Sequence, residues 1–183
     1  MKIRSLLRSF IILLLLIGFF PGSGTAAQTI ERESQILYAI PGADGDCLSW
    51  ETACDLQTAI ESAAYGSQVH AAEGTYFPSL TGDRFISFTM KIGVAIYGGF
   101  PPGGGAWDSR DWQANPSILS GDIGVIGEPS DNSYHVVKGS SVNSEAILDG
   151  FTITGGFADS TAPYDSGAGL YTCLLYTSDA ADE

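Results

Sequence analysis

Ile147-Leu148-Asp149-Gly150-Phe151-Thr152-Ile153-Thr154-Gly155-Gly156 is the stretch on which the reading of the fold turns. Phe151 and Ile153 fall on one side of an extended chain, Thr152 and Thr154 on the other, which is the two-residue period of a half-buried strand. Asp149-Gly150 interrupts the apolar pattern and Gly155-Gly156 ends it, as turn-forming residues do. Outward from this point the same kind of short strand pattern recurs at Ile36–Ile40, Gln68–Ala72, Phe85–Phe88, Val94–Tyr97, Ser117–Ser120, Tyr134–Val137 and Ala146–Leu148, and Gly167–Tyr171 starts another. One segment reads differently. Asp55 can cap a helix from Leu56 to about Ala64, with Leu56, Ala59, Ile60, Ala63 and Ala64 on one face and Gly66 as its stop.

Short strands of this number fit a sandwich as well as a solenoid. Hairpin signals would mark the sandwich, yet Asn-Gly does not occur and the connection from Gly99 to Asn115 is long for a hairpin. Strands stacked in parallel need no tight reversal, because each lies about 4.8 Å from the next. The first strand would then present an open edge, which proteins cover, and the Leu56–Ala64 helix is expected to cover it.

Two stretches also carry a family resemblance. Leu56-Gln57-Thr58-Ala59-Ile60, with Gly66, Val69 and Glu73-Gly74-Thr75-Tyr76 after it, resembles the N-terminal cap and first turn of the right-handed parallel β-helix proteins of the pectate-lyase-like superfamily. Ile147–Gly156 resembles the motif that recurs along such proteins, and Tyr97–Phe100, Ile118–Asp122 and Asn132–Val137 resemble a subset found in large bacterial surface or secreted proteins. The resemblance implies an all-β fold, a right-handed parallel β-helix solenoid with a short N-terminal capping α-helix at about 55–65, C-terminally truncated. It says little of activity, since members include polysaccharide lyases, glycoside hydrolases and proteins without chemistry.

The chain divides into three parts. Lys2, Arg4 and Arg8 precede the apolar run Phe10–Phe20, and Thr25-Ala26-Ala27 supplies small residues, so 1–27 reads as a signal peptide. That run is shorter than the roughly 20 residues a bilayer span needs, so no membrane span is expected in the mature part. Residues 28–172 read as an incomplete β-helix domain. Cys173-Leu-Leu-Tyr-Thr-Ser-Asp-Ala-Ala-Asp-Glu183 resembles the conceptual translation of a sequencing adapter, and 173–183 is therefore read as a non-native tail. The mature protein is expected to be secreted or held at the cell surface.

Charge and cysteines narrow the function classes. With 8 Lys and Arg against 21 Asp and Glu, the net charge is −13, and no basic cluster is available to neutralise phosphates. That argues against nucleic-acid binding. Cys47 and Cys54 form an even pair in an exported chain, which points to a disulfide, free thiols being the alternative.

Candidate chemistry is sparse. Asp122, Asp149, Asp159 and Asp165 could supply the paired carboxylates of glycoside hydrolysis, but the first two sit beside Gly where turns use Asp. Arg84, Lys91, Arg110 and Lys138 are the basic residues after the helix, none of them inside an acidic sequence cluster. Asp44-Gly45-Asp46 reads as a polar turn without the ligand spacing of an EF-hand. His70 and His135 stand in apolar strand segments and read as hydrogen-bonded strand histidines. No metal or cofactor site is read from the residues, Ca²⁺ being implied only by the family resemblance. Tyr97, Phe100, Trp107 and Trp112 flank the Gly-rich segment 99–105 and could stack on sugar rings, the alternative being that they pack this long loop back onto the body. The resulting expectation is an exported, non-catalytic surface or adhesive domain contacting extracellular polysaccharide or cell-surface glycan. The rival expectation is a polysaccharide lyase or glycoside hydrolase whose catalytic residues lie beyond residue 172.

Overall fold

The computed structural model describes residues 34–173; the expected signal peptide and the 174–183 portion of the adapter-like tail lie outside them. In chain order the elements are β1 (Ile36–Ala39), α1 (Leu56–Ser62), β2 (Gln68–Ala72), β3 (Gly74–Tyr76), β4 (Phe88–Thr89) and β5 (Ala95–Phe100), followed by β6 (Ser117–Ser120), β7 (Val137–Ser140), β8 (Ile147–Asp149), β9 (Phe151–Thr154) and β10 (Leu170–Cys173). They form three sheets: β1-β2-β5-β8, β3-β6-β9 and β4-β7-β10. From β2 onward the chain visits these sheets in turn, and every strand pairing is parallel.

An all-β, right-handed parallel β-helix solenoid was the expectation, whereas the described chain is a small α/β arrangement of three short parallel sheets and one helix, with no regular solenoid evident. Spacing gives the physical reason. A solenoid repeats one structural unit at a near-constant period. Partner residues in the first sheet instead step from 36 to 68, 68 to 95 and 95 to 147, so turns of very unequal length separate the strands. Strand direction was legible; the class built on it was not.

Register explains the core. In the first sheet Leu37, Val69, Ile96 and Leu148 are successive partners, the first three fully buried. Tyr76, Leu119 and Ile153 form the corresponding row of the second sheet, and Phe88 and Val137 that of the third, with Leu170 in register at its exposed end. Like apolar side chains thus stack on one another, and each buried Leu, Val or Ile side chain contributes about 1.5–3 kcal/mol by leaving water. The Tyr76 hydroxyl shares its one proton between the carbonyls of Ala72 (2.8 Å) and Ala39 (3.1 Å), which ties β3 to the ends of β1 and β2 without leaving the buried hydroxyl unpaired.

α1 begins where Asp55 was expected to cap it, the Asp55 carboxylate accepting the Gln57 N–H at 3.1 Å. Leu56, Ala59, Ile60 and Ala63 are buried among Leu37, Phe88 and Val94. It stops at Ser62, short of the expected Ala64, because Ala63 turns extended and Lys91 Nζ takes the carbonyls of Glu61 and Ala63. The helix packs against the apolar side of β1 at Leu37 but takes none of the hydrogen bonds of its open edge. That edge is covered by the cysteine loop, whose Cys47 and Cys54 carbonyls accept from Tyr38 and Ile40 while Cys54 N–H donates back to Tyr38. The expected Cys47–Cys54 disulfide is formed, with a Cα–Cα separation of 4.8 Å.

Candidate functional site

The first sheet has a second face. The residues that alternate with its buried row are Tyr38, His70, Tyr97 and Asp149, brought side by side by the same parallel register. Three of these carry rings, and His70 meets Tyr38 and Tyr97 edge-on at 5.9 and 6.1 Å between centroids. The pairing of β2 with β5 slips between His70 and Ala72, so that Ala72 partners Phe100. This slip brings Phe100 beneath the His70 ring, stacked at 4.6 Å with planes 17° apart.

Loop residues complete the patch. Trp50, from the cysteine loop, lies 4.8 Å from Tyr38 and 5.3 Å from Phe100, and its indole N–H donates to the Gly105 carbonyl at 2.9 Å. Gly104, at φ +96°, lets the loop pass flat against this ring, for a Cβ there would fall 2.0 Å from it. Trp107 then rests 5.0 Å from Tyr97 and 5.3 Å from His70 while remaining 49% exposed. Arg110 is held by the Gly98 carbonyl, lies 5.4 Å from the Tyr97 ring and 5.5 Å from that of Trp107, and forms an ion pair with Asp149. Trp112, 60% exposed, lines a separate hollow of about 330 Å³ with Arg110, Asp149, Gly150 and Phe151.

Of the four rings expected to meet sugar, the structure therefore brings Tyr97, Phe100 and Trp107 together and places Trp112 at the neighbouring hollow. Phe100 cannot serve as a contact, being wholly buried; it does what the alternative expected and packs the loop down. Tyr38, Trp50, His70, Arg110 and Asp149 were missed as members of this patch. Register carried the signal for the first and third, since both stand in the third position of matching strand patterns.

Electrostatics follow from the burial. His70, 6% exposed and near Arg110, has its pKa lowered to about 4, desolvation being the larger cause and the Arg110 charge the smaller. The ring is neutral at ordinary pH and bonds the Gln68 side-chain oxygen at 3.0 Å, in keeping with a hydrogen-bonded strand histidine. His135 is also depressed, chiefly by desolvation; its Nδ1 meets the Gly167 carbonyl at 3.2 Å while the ring lies between Tyr164 and Tyr171.

The carboxylates singled out as hydrolytic candidates have local partners. Asp149 pairs with Arg110 and Asp159 with Arg84, pairs too far apart in sequence to be read there. Asp122 accepts the Gly127 N–H at 2.9 Å, and Asp165 lies 3.4 Å from the Ser166 hydroxyl. In the Asp44–Asp46 turn, Asp46 accepts from Leu48 N–H and the Thr52 hydroxyl, and the Thr52 bond is the main reason its pKa is lowered. Among the described residues no group of three or more His, Cys, Asp or Glu is placed to hold a metal ion. No described helix is long and apolar enough to cross a membrane.

Compared with known proteins, the chain matches no family model, no curated protein and no solved structure.

Proposed function

We propose that the chain is an exported, non-catalytic module that contacts extracellular or cell-surface carbohydrate through the outer face of its first sheet. The observation that carries this reading is Trp107, half exposed yet fixed in place by the rings of Tyr97 and His70. A sugar presents C–H groups on its ring faces and hydroxyls at its rim. An immobilised, exposed aromatic ring answers the first without losing side-chain freedom on binding. Arg110 and Asp149, side by side between Trp107 and Trp112, answer the second with donors and acceptors. The engagement of Asp149 and Asp159 by arginines supports holding sugar over cleaving it.

Affinity electrophoresis and calorimetry against neutral and acidic polysaccharides test the proposal. Binding to at least one of them is expected, weakened about tenfold or more by Trp107→Ala and further by Trp107→Ala/Trp112→Ala, with the fold intact because both indoles are largely exposed. Full affinity in the double variant would overturn it. Release of reducing ends or unsaturated sugars by the wild-type chain would instead establish the hydrolase or lyase reading.

A further inference from the structure

The connection between β6 and β7 contains an anomaly that the aromatic patch does not use. Four side-chain oxygens within it are buried and have no hydrogen-bond partner: Asp122 Oδ1, Asp131 Oδ1, Asn132 Oδ1 and Ser133 Oγ. Asn132 is 7% exposed and Ser133 fully buried. A buried polar atom left unpaired is destabilising, and more so on an ionised carboxylate. Four in a run of twelve residues need a common explanation.

The loop's own bonding brings the two carboxylates to one segment and holds the backbone of the other two residues next to it. Asp122 spends its other oxygen on the Gly127 N–H (2.9 Å) and Asp131 its other oxygen on the Val125 N–H (2.7 Å), so both carboxylates clasp the same short segment from its two ends. Asp131 lies so close to Gly124 that a Cβ there would fall 2.3 Å from its oxygen. Ser133 N–H donates to the Gly121 carbonyl at 2.8 Å, which sets Ser133 beside the residue preceding Asp122, and Asn132 N–H caps the Pro129–Asp131 turn at 3.1 Å. In each carboxylate one oxygen shapes the loop and the other remains to be satisfied.

We propose that the Gly121–Ser133 loop is a binding site for a hard divalent cation, best matched by Ca²⁺, with Asp122, Asp131, Asn132 and Ser133 as its side-chain ligands. Two carboxylates, an amide carbonyl and a hydroxyl form an oxygen-only set, which suits Ca²⁺ or Mg²⁺ and disfavours metals that seek nitrogen or sulfur. Ca²⁺ accepts six to eight oxygens in irregular geometry, so backbone carbonyls and water can complete a shell of which four members come from the loop. Only two of the four donors are acidic, the other two being neutral oxygens. Arg84 also reaches the loop, its Nε donating to the Asn132 carbonyl; its charge is opposed by Asp159 at 2.6 Å. Sequence reading took Asp122 for a turn residue, and it is one, through one oxygen.

The test uses the whole chain after chelator treatment, with CaCl₂ and MgCl₂ as the probes. Calorimetry is expected to show saturable Ca²⁺ binding near one ion per chain, with an affinity at or tighter than the roughly 10⁻⁴–10⁻³ M of extracellular Ca²⁺ modules. Ca²⁺ should raise the melting temperature by several degrees, and Mg²⁺ by less. Asp122→Asn and Asp131→Asn keep the shape and remove charge, and each should weaken Ca²⁺ binding tenfold or more. Ser133→Ala, which leaves the charge in place, guards against a variant that merely misfolds and should weaken binding by less. Asp165→Asn, outside the loop, should bind as the wild type does. A folded wild-type chain that takes up no Ca²⁺ and whose melting temperature ignores it overturns the proposal, leaving buried water to satisfy the four oxygens. Unchanged affinity in both Asp variants overturns it equally.

Discussion

His70 shows how much one position depends on its surroundings. Between two strand neighbours it is an ordinary polar interruption, but stacked on Phe100 and edged by Tyr38, Tyr97 and Trp107 it is a neutral ring sealed from water. Its folded pKa of about 4 lies below the unfolded value of 6.5. The unfolded chain therefore binds the extra proton first, and stability falls as pH drops from about 6.5 to 4. Replacing His70 by Gln removes this titration. The wild type should lose on the order of 2–3 kcal/mol more than His70→Gln across that window in urea unfolding at several pH values; parallel pH profiles would contradict the assignment. Residue-scale reading found the rings of this patch more readily than their roles. Tyr97, Phe100, Trp107 and Trp112 were visible as a cluster in the sequence, but which would be buried depended on the strand slip at His70–Ala72, and no local pattern encodes that.

At the scale of elements, local signals did well where a side chain closes on its own backbone. Asp55 capping α1 and the Phe151–Thr154 strand are both where their patterns put them. Partners distant in the chain moved the others. Phe85–Phe88 becomes strand only from Phe88, because Phe85 turns out to meet Tyr134 and Tyr164. Tyr134–Val137 becomes strand only from Val137, since Arg84 lies 4.0 Å over the Tyr134 ring and His135 sits between two tyrosines. The cysteine loop is the element whose importance exceeds its signal, for it shields the edge of β1 and delivers Trp50 to the aromatic patch. Its disulfide closes a short loop, and chain entropy assigns it about 2–3 kcal/mol. Cys47→Ala/Cys54→Ala should lower the unfolding free energy by that amount and leave α1 formed by circular dichroism. A loss well under 1 kcal/mol would mean that the backbone hydrogen bonds alone hold the loop to β1.

For the molecule as a whole, parallel stacking does two things at once. It places Leu37, Val69, Ile96 and Leu148 in one interior row and, by the two-residue period of a strand, sets Tyr38, His70, Tyr97 and Asp149 in a row on the opposite face. Core and candidate site are thus the two faces of one register. The direction of stacking could be read from the long connections and missing hairpin turns, but the class could not, because short alternating segments do not encode how many residues separate partners. Nuclear Overhauser contacts between β1 and β2 test the arrangement most directly. Parallel pairing predicts contacts of Leu37 with Val69 and of Ala39 with Ala71. Contacts of Leu37 with Ala71 and of Ala39 with Val69 would mean antiparallel strands, and both the core row and the aromatic face would then have to be abandoned.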